Sequence, residues 1–124
     1  MACHEAVLTG DVHQLIAHLE DEILRGSISA TREEASEQSI GDALLVVRTY
    51  ERYSAMGGNR VSLNVAVLAF DGRLAVTMTA AGGSEAMFFK INTFGEEAFL
   101  RMAVDALAGF GRGSRQSGGS DLIG

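Results

Sequence analysis

Arg48, Tyr50 and Arg52 fall on one parity of the segment Ala43 to Tyr53, which is rich in Leu, Val and Tyr and has strand propensity. If register brings that side together with Asn64, Thr77, Thr79 and Lys90, three cations and several hydrogen-bond donors converge on one sheet face. Such a face suits a carboxylate or phosphate ligand, because Arg offers bidentate geometry and Lys a point charge. The same residues also make an ordinary solvated face with cross-strand Arg–Glu and Thr–Thr pairs. A register one residue different would invert the face.

Other chemistry is scarce. Gly82-Gly83-Ser84 could offer the amides of Gly83 and Ser84 as an anion-binding nest, or simply turn the chain. Ser84 is not in a G-x-S-x-G elbow, and no base lies near it in sequence. His13 and His18 are five apart, which places them on different faces of a helix, unlike the i, i+4 pair of a zinc helix. Cys3 and His4 are a poor scaffold for a closed tetrahedral site. No acid, base and nucleophile come together, and nothing calls for a cofactor or a metal.

The elements that must position these residues can be read in order. His4 to Leu8 suits a short edge strand, and Thr9-Gly10-Asp11 a turn and N-cap. Leu15, Ile16, Leu19 and Ile23 recur at helical spacing, and Gly26 stops a helix over about Asp11 to Arg25. Ser27 to Ala35 is expected to be a strand, followed by a turn at Ile40-Gly41-Asp42 and the strand Ala43 to Tyr53. Gly57-Gly58-Asn59 marks a loop. Arg60 to Phe70 and Arg73 to Ala81 flank Asp71-Gly72, the signal of a two-residue hairpin with a type I′ turn.

Parity then separates two faces. Val61, Leu63, Val65 and Val67 share one side with Leu74, Val76 and Met78 of the next strand, whereas Ser62, Asn64, Thr77 and Thr79 lie opposite. Met87, Phe89 and Ile91 alternate in the same way, so Gly82-Gly83 is expected to bend one long strand into a continuation that ends near Asn92. Thr93 and Glu96 stand at the spacing of a capping box, opening a helix over about Phe94 to Gly109. That helix carries Phe99, Met102, Ala103, Ala106 and Phe110 on one stripe, with Leu100, Val104 and Leu107 extending the apolar character around it. The expected fold is α+β: a single antiparallel sheet of four to five strands with two helices on one face, in the order β-α-β-β-β-β-α. One domain spans residues 1–110, and the Gly/Ser/Arg-rich stretch 111–124 is expected to be disordered.

The 124 residues suffice for one buried core without a staple, and the single cysteine excludes a disulfide framework. Net charge is −6, divided as −7 over residues 1–42 and +1 over the remainder. An acidic first third argues against nonspecific binding to nucleic acid or an anionic membrane. No signal peptide is evident, and Val61 to Phe70 is too short to span a bilayer, so a soluble cytoplasmic protein is expected.

Ser27-Ile28-Ser29-Ala30-Thr31, Tyr50-Glu51-Arg52-Tyr53-Ser54, Gly82-Gly83-Ser84 and Phe89-Lys90-Ile91-Asn92-Thr93 with Gly95-Glu96-Glu97-Ala98-Phe99 resemble a small family of uncharacterised bacterial, clostridial-type proteins. The similarity covers most of Met1 to Phe110 and implies no activity. The element order resembles the TATA-binding-protein-like or helix-grip class, a likeness of topology alone. Two functions follow. One is a non-enzymatic binder of a small anionic or lipid-like ligand, with a pocket lined by Phe88, Phe89, Met102 or Phe99. The other is an interaction module, a homodimer through the second helix or a sheet edge, with an apolar patch at Leu100, Val104 and Leu107.

Overall fold

The computed structural model describes residues 2–53, 59–82 and 89–122, with side chains over 2–53, 59–82 and 95–111. Its elements are β1 (Ala2–Thr9), α1 (Val12–Arg25), β2 (Thr31–Ile40), β3 (Ala43–Tyr53), β4 (Arg60–Phe70), β5 (Arg73–Gly82) and α2 (Phe89–Leu122). The strands form one antiparallel sheet in the order β1-β5-β4-β3-β2, so β1 and β2 are its edges. The fold is therefore α+β in the order β-α-β-β-β-β-α, as the sequence leads one to expect.

α1 forms where the apolar spacing puts it. Val12, Leu15, Ile16, Leu19 and Ile23 are its buried residues, and the Asp11 carboxylate caps it by accepting the Gln14 N–H at 2.9 Å. The β4–β5 hairpin turns through Asp71 and Gly72, both at positive φ (56° and 76°), the backbone that a type I′ turn requires. Gly10, at φ 145°, donates its N–H to Gly72 O at 3.1 Å, tying the β1–α1 turn to the tip of that hairpin.

Both helices lie on one face of the sheet. Val61, Leu63, Val65, Val67, Leu74, Val76 and Met78 are buried beneath them, together with Phe99, Ala103, Ala106 and Leu107 of α2. The parity read from the sequence for β4 and β5 thus gives the covered face correctly.

Three expectations are corrected. β2 runs Thr31–Ile40 instead of Ser27 to Ala35, and Ile28 is fully exposed outside it. All ten of its residues are exposed, so the strand is set by its hairpin with β3 through Gly41 (φ 57°) and not by any apolar alternation of its own. Phe89 to Asn92 are helical residues of α2 instead of a strand continuation, while Met87 and Phe88 lie outside the described residues. A short apolar run is compatible with either period, and here the helix takes it. Thr93 is consequently inside α2 and is no N-cap; Glu96 is instead buried and accepts the Gly82 N–H at 2.6 Å, pinning the end of β5 to α2.

The third correction concerns the faces. β3 pairs with β4 so that Arg48 faces Val65, Tyr50 faces Leu63 and Arg52 faces Val61. These three side chains therefore occupy the helix-covered face, whereas Asn64, Thr77 and Thr79 occupy the open one. Parity rules read Arg and Tyr as solvent-facing, yet both can bury a long apolar body beneath a polar tip, and the Tyr50 hydroxyl finds its partner in Glu20.

Candidate functional site

The residues singled out by their chemistry do not form one site. On the covered face, Tyr50 is 1% exposed and its hydroxyl donates to Glu20 Oε1 of α1 at 2.9 Å. Burial and, after it, the hydrogen bond to Glu20 push the Tyr50 hydroxyl well above the ordinary tyrosine range. Glu20 also accepts from Arg32 of β2, at 3.0 Å. Arg48 donates to Val47 O at 3.1 Å and lies 3.7 Å from Glu37, which His13 of α1 approaches at 3.3 Å. These carboxylates already meet the cations, and the cluster acts as a seam that fastens α1 over β2 and β3.

Arg52 differs from its neighbours. Its guanidinium stacks on the Phe99 ring at 4.4 Å and approaches Met102 Sδ at 3.8 Å, and burial lowers its pKa. On the open face Asn64 donates to Thr49 Oγ1 at 3.1 Å, and Thr77 of β5 lies opposite Glu5 of β1 on one side and Ala66 of β4 on the other. The backbone of Lys90 is helical and its side chain lies outside the described residues, as do Gly83 and Ser84 entirely. His18 bonds Ala106 O through Nε2 at 2.8 Å, a link between the two helices. Among the described residues no group of three His, Cys, Asp or Glu side chains could hold a metal ion. Nor is any helix among them long and apolar enough to cross a membrane.

Open apolar ground lies elsewhere, between edge strand β1 and α2. A groove of about 500 Å³ is lined by His4, Ala6 and Leu8 of β1 and by Val104, Leu107 and Ala108 of α2, with Val7 and Gly111 at its margin. A second depression of about 470 Å³ continues along the same seam between Cys3, His4, Leu100 and Arg101. Of the apolar patch expected on α2, Leu100 and Val104 are half-buried and all three residues border these depressions, although Leu107 is otherwise buried in the core. Phe99, expected to line a ligand pocket, is fully buried core.

The two sheet edges are built differently. β2 carries Arg32, Glu33, Glu34 and Glu37 and breaks register between Arg32 and Glu34, a bulge with charges of the kind that keeps another strand from pairing. β1 pairs with β5 in unbroken register from Ala2 to Thr9, and Glu5 is its only acid or base apart from His4. The sequence of β1 suits an edge strand, but it carries no signal for this contrast, since which strands are edges depends on long-range pairing.

A search of curated proteins finds no match for the chain. A family model does match, over residues 1–111, a span that includes β1, the groove beside it and the seam under α1. The chain belongs to this family, a family of unknown function designated DUF6054.

Proposed function

We propose that the protein is an interaction module that forms a homodimer through the free edge of β1 and the adjoining side of α2. The observation that carries this reading is the contrast between an edge blunted by a bulge and four charged residues and an edge left regular beside an apolar groove. An unpaired strand edge is a template of N–H and C=O groups, and strand addition satisfies them while neighbouring pockets take side chains. A second copy brings its own β1 and its own half-buried Leu100 and Val104, so one contact closes the strand edge and covers the helix flank together.

Light scattering on the eluting protein tests this. The wild-type chain is expected at twice 13.1 kDa, and Val104→Glu, which places a carboxylate in the groove, is expected at 13.1 kDa with its circular dichroism unchanged. A wild-type chain that stays monomeric at high concentration contradicts the proposal.

Arg52 supports a second function, the binding of a small carboxylate or phosphate. Its half-buried guanidinium has an aromatic ring and a thioether as neighbours and no carboxylate in a salt bridge among the described residues. A thermal-shift series with acetate and inorganic phosphate, run on wild type and Arg52→Met, tests it. Stabilisation that the variant loses supports the site, and equal response in both proteins removes it.

A further inference from the structure

We infer that the two β1 strands pair in a single register, with Ala6 opposite Ala6 of the second copy, so that two five-stranded sheets join edge to edge with all helices on one side. The inference rests on the homodimer proposed above and specifies its geometry. A two-fold axis between antiparallel neighbours stands perpendicular to the sheet and leaves each face on its own side. Directly opposed residues in such a pair point to the same face. In β1 Cys3, Glu5, Val7 and Thr9 lie on the open face, and His4, Ala6 and Leu8 on the helix side. Open-face residues must therefore oppose open-face residues, which forces the axis to pass beside a residue and never between two.

Four positions of the axis then leave at least five paired residues per strand, and they are not equal. Centring on His4 or on Val7 pairs only five residues, because the strand ends at Ala2 and Thr9. Centring on Glu5 or on Ala6 pairs seven. The Glu5 centre, however, sets two carboxylates directly opposite each other, an arrangement that opposes pairing. The Ala6 centre sets Glu5 against Val7, Cys3 against Thr9 and His4 against Leu8, with no like charges in register. It also places the smallest of the helix-side groups among them where each copy meets itself, at the level of Val104 and Leu107 in the groove.

Disulfide trapping reads this register directly, because Cys3 is exposed and has no other cysteine in its chain. In the Ala6-centred pair, Thr9→Cys brings the new thiol opposite Cys3 of the second copy, within the Cα separation a disulfide spans. Wild-type Cys3 residues are separated by six residue steps, about 20 Å, and do not meet. Val7→Cys places a thiol opposite Cys3 only if Glu5 is the centre, and Glu5→Cys only if His4 is. After mild oxidation, Thr9→Cys is expected to give at least about tenfold more cross-linked dimer on a non-reducing gel than wild type, Val7→Cys or Glu5→Cys. Cross-linking strongest in Val7→Cys or Glu5→Cys overturns the register while the dimer stands, as does the absence of cross-linking from a chain that light scattering shows to be dimeric. A monomer by light scattering overturns the dimer itself and the register with it.

Discussion

The Tyr50 hydroxyl in the C-terminal half of β3 donates to the carboxylate of Glu20 on α1 at 2.9 Å, and the same carboxylate receives Arg32 from β2. Three successive elements, α1, β2 and β3, are thus held at one acceptor, and the tyrosine that supplies the hydroxyl is buried. Replacing Tyr50 by Phe keeps the ring and removes the donor. Hydrogen bonds to a charged group contribute about 1.5–3 kcal/mol when fully desolvated, and Glu20 keeps a quarter of its side chain exposed. Tyr50→Phe is therefore expected to lower stability by about 1–2 kcal/mol in urea unfolding, with an unchanged m-value. No loss at all would show that water replaces the hydroxyl freely.

The same hydroxyl makes a prediction about pH. Folding raises its pKa above the value of 10.0 that it has when unperturbed, so the native state holds this proton more tightly than the unfolded chain. The stability it contributes is complete below pH 10.0 and declines as pH rises through and beyond that value. The difference in stability between wild type and Tyr50→Phe should accordingly shrink above pH 10.0, and denaturant titrations at pH 8 and pH 10.5 measure it. A difference that grows with pH contradicts the placement of the buried hydroxyl.

At the end of β5, Glu96 accepts the Gly82 N–H at 2.6 Å from a buried position. Glu96→Ala leaves that amide without this acceptor and opens space beside it, an expected loss of about 2 kcal/mol by thermal or urea unfolding. Glu96→Gln retains a carbonyl oxygen at the same reach and should lose less than half as much. Equal losses in the two variants would mean that the negative charge itself, and not the hydrogen bond, matters there.

Charge at Val7 offers a test that spares the core, since this side chain is 72% exposed in the protomer. In the proposed register it faces Glu5 of the second copy. Val7→Glu should weaken the dimer severalfold and Val7→Lys should strengthen it, both with little change in protomer secondary structure. Dissociation constants from sedimentation equilibrium at low and moderate salt measure the effect, which should diminish as salt rises. Identical constants for the two variants would place the contact elsewhere.

Much of the fold is legible in the sequence, for reasons that are local. Asp71-Gly72 states its own turn, and Asp11 with the spacing Leu15, Ile16, Leu19 and Ile23 states its own helix. Val61 to Val67 alternate cleanly because one side of β4 is buried and the other is not. Phe89 to Asn92 read as a strand in the sequence and are helical in the structure, because so short an apolar run satisfies either period. The bounds of β2 are not legible in the sequence, because the strand is set by its pairing with β3 and an exposed strand leaves no apolar pattern to read.

The candidate site was harder to see. Arg48, Tyr50 and Arg52 have side chains that suit a solvated face, and only the pairing of Arg48 with Val65 and Tyr50 with Leu63 shows that they lie under the helices. The groove beside β1 depends on sheet order, which joins residues about 70 positions apart, such as Ala6 and Val76. No local signal carries such a pairing.

Residue-resolved amide hydrogen exchange tests the central claim most directly, because the free edges of β1 and β2 can be compared in one experiment. At high protein concentration the β1 amides that point away from β5 are predicted to be protected, and to lose protection on dilution or in Val104→Glu, while the outward amides of β2 exchange rapidly throughout. Rapid, concentration-independent exchange of the outward β1 amides would contradict the assignment of β1 as the docking edge.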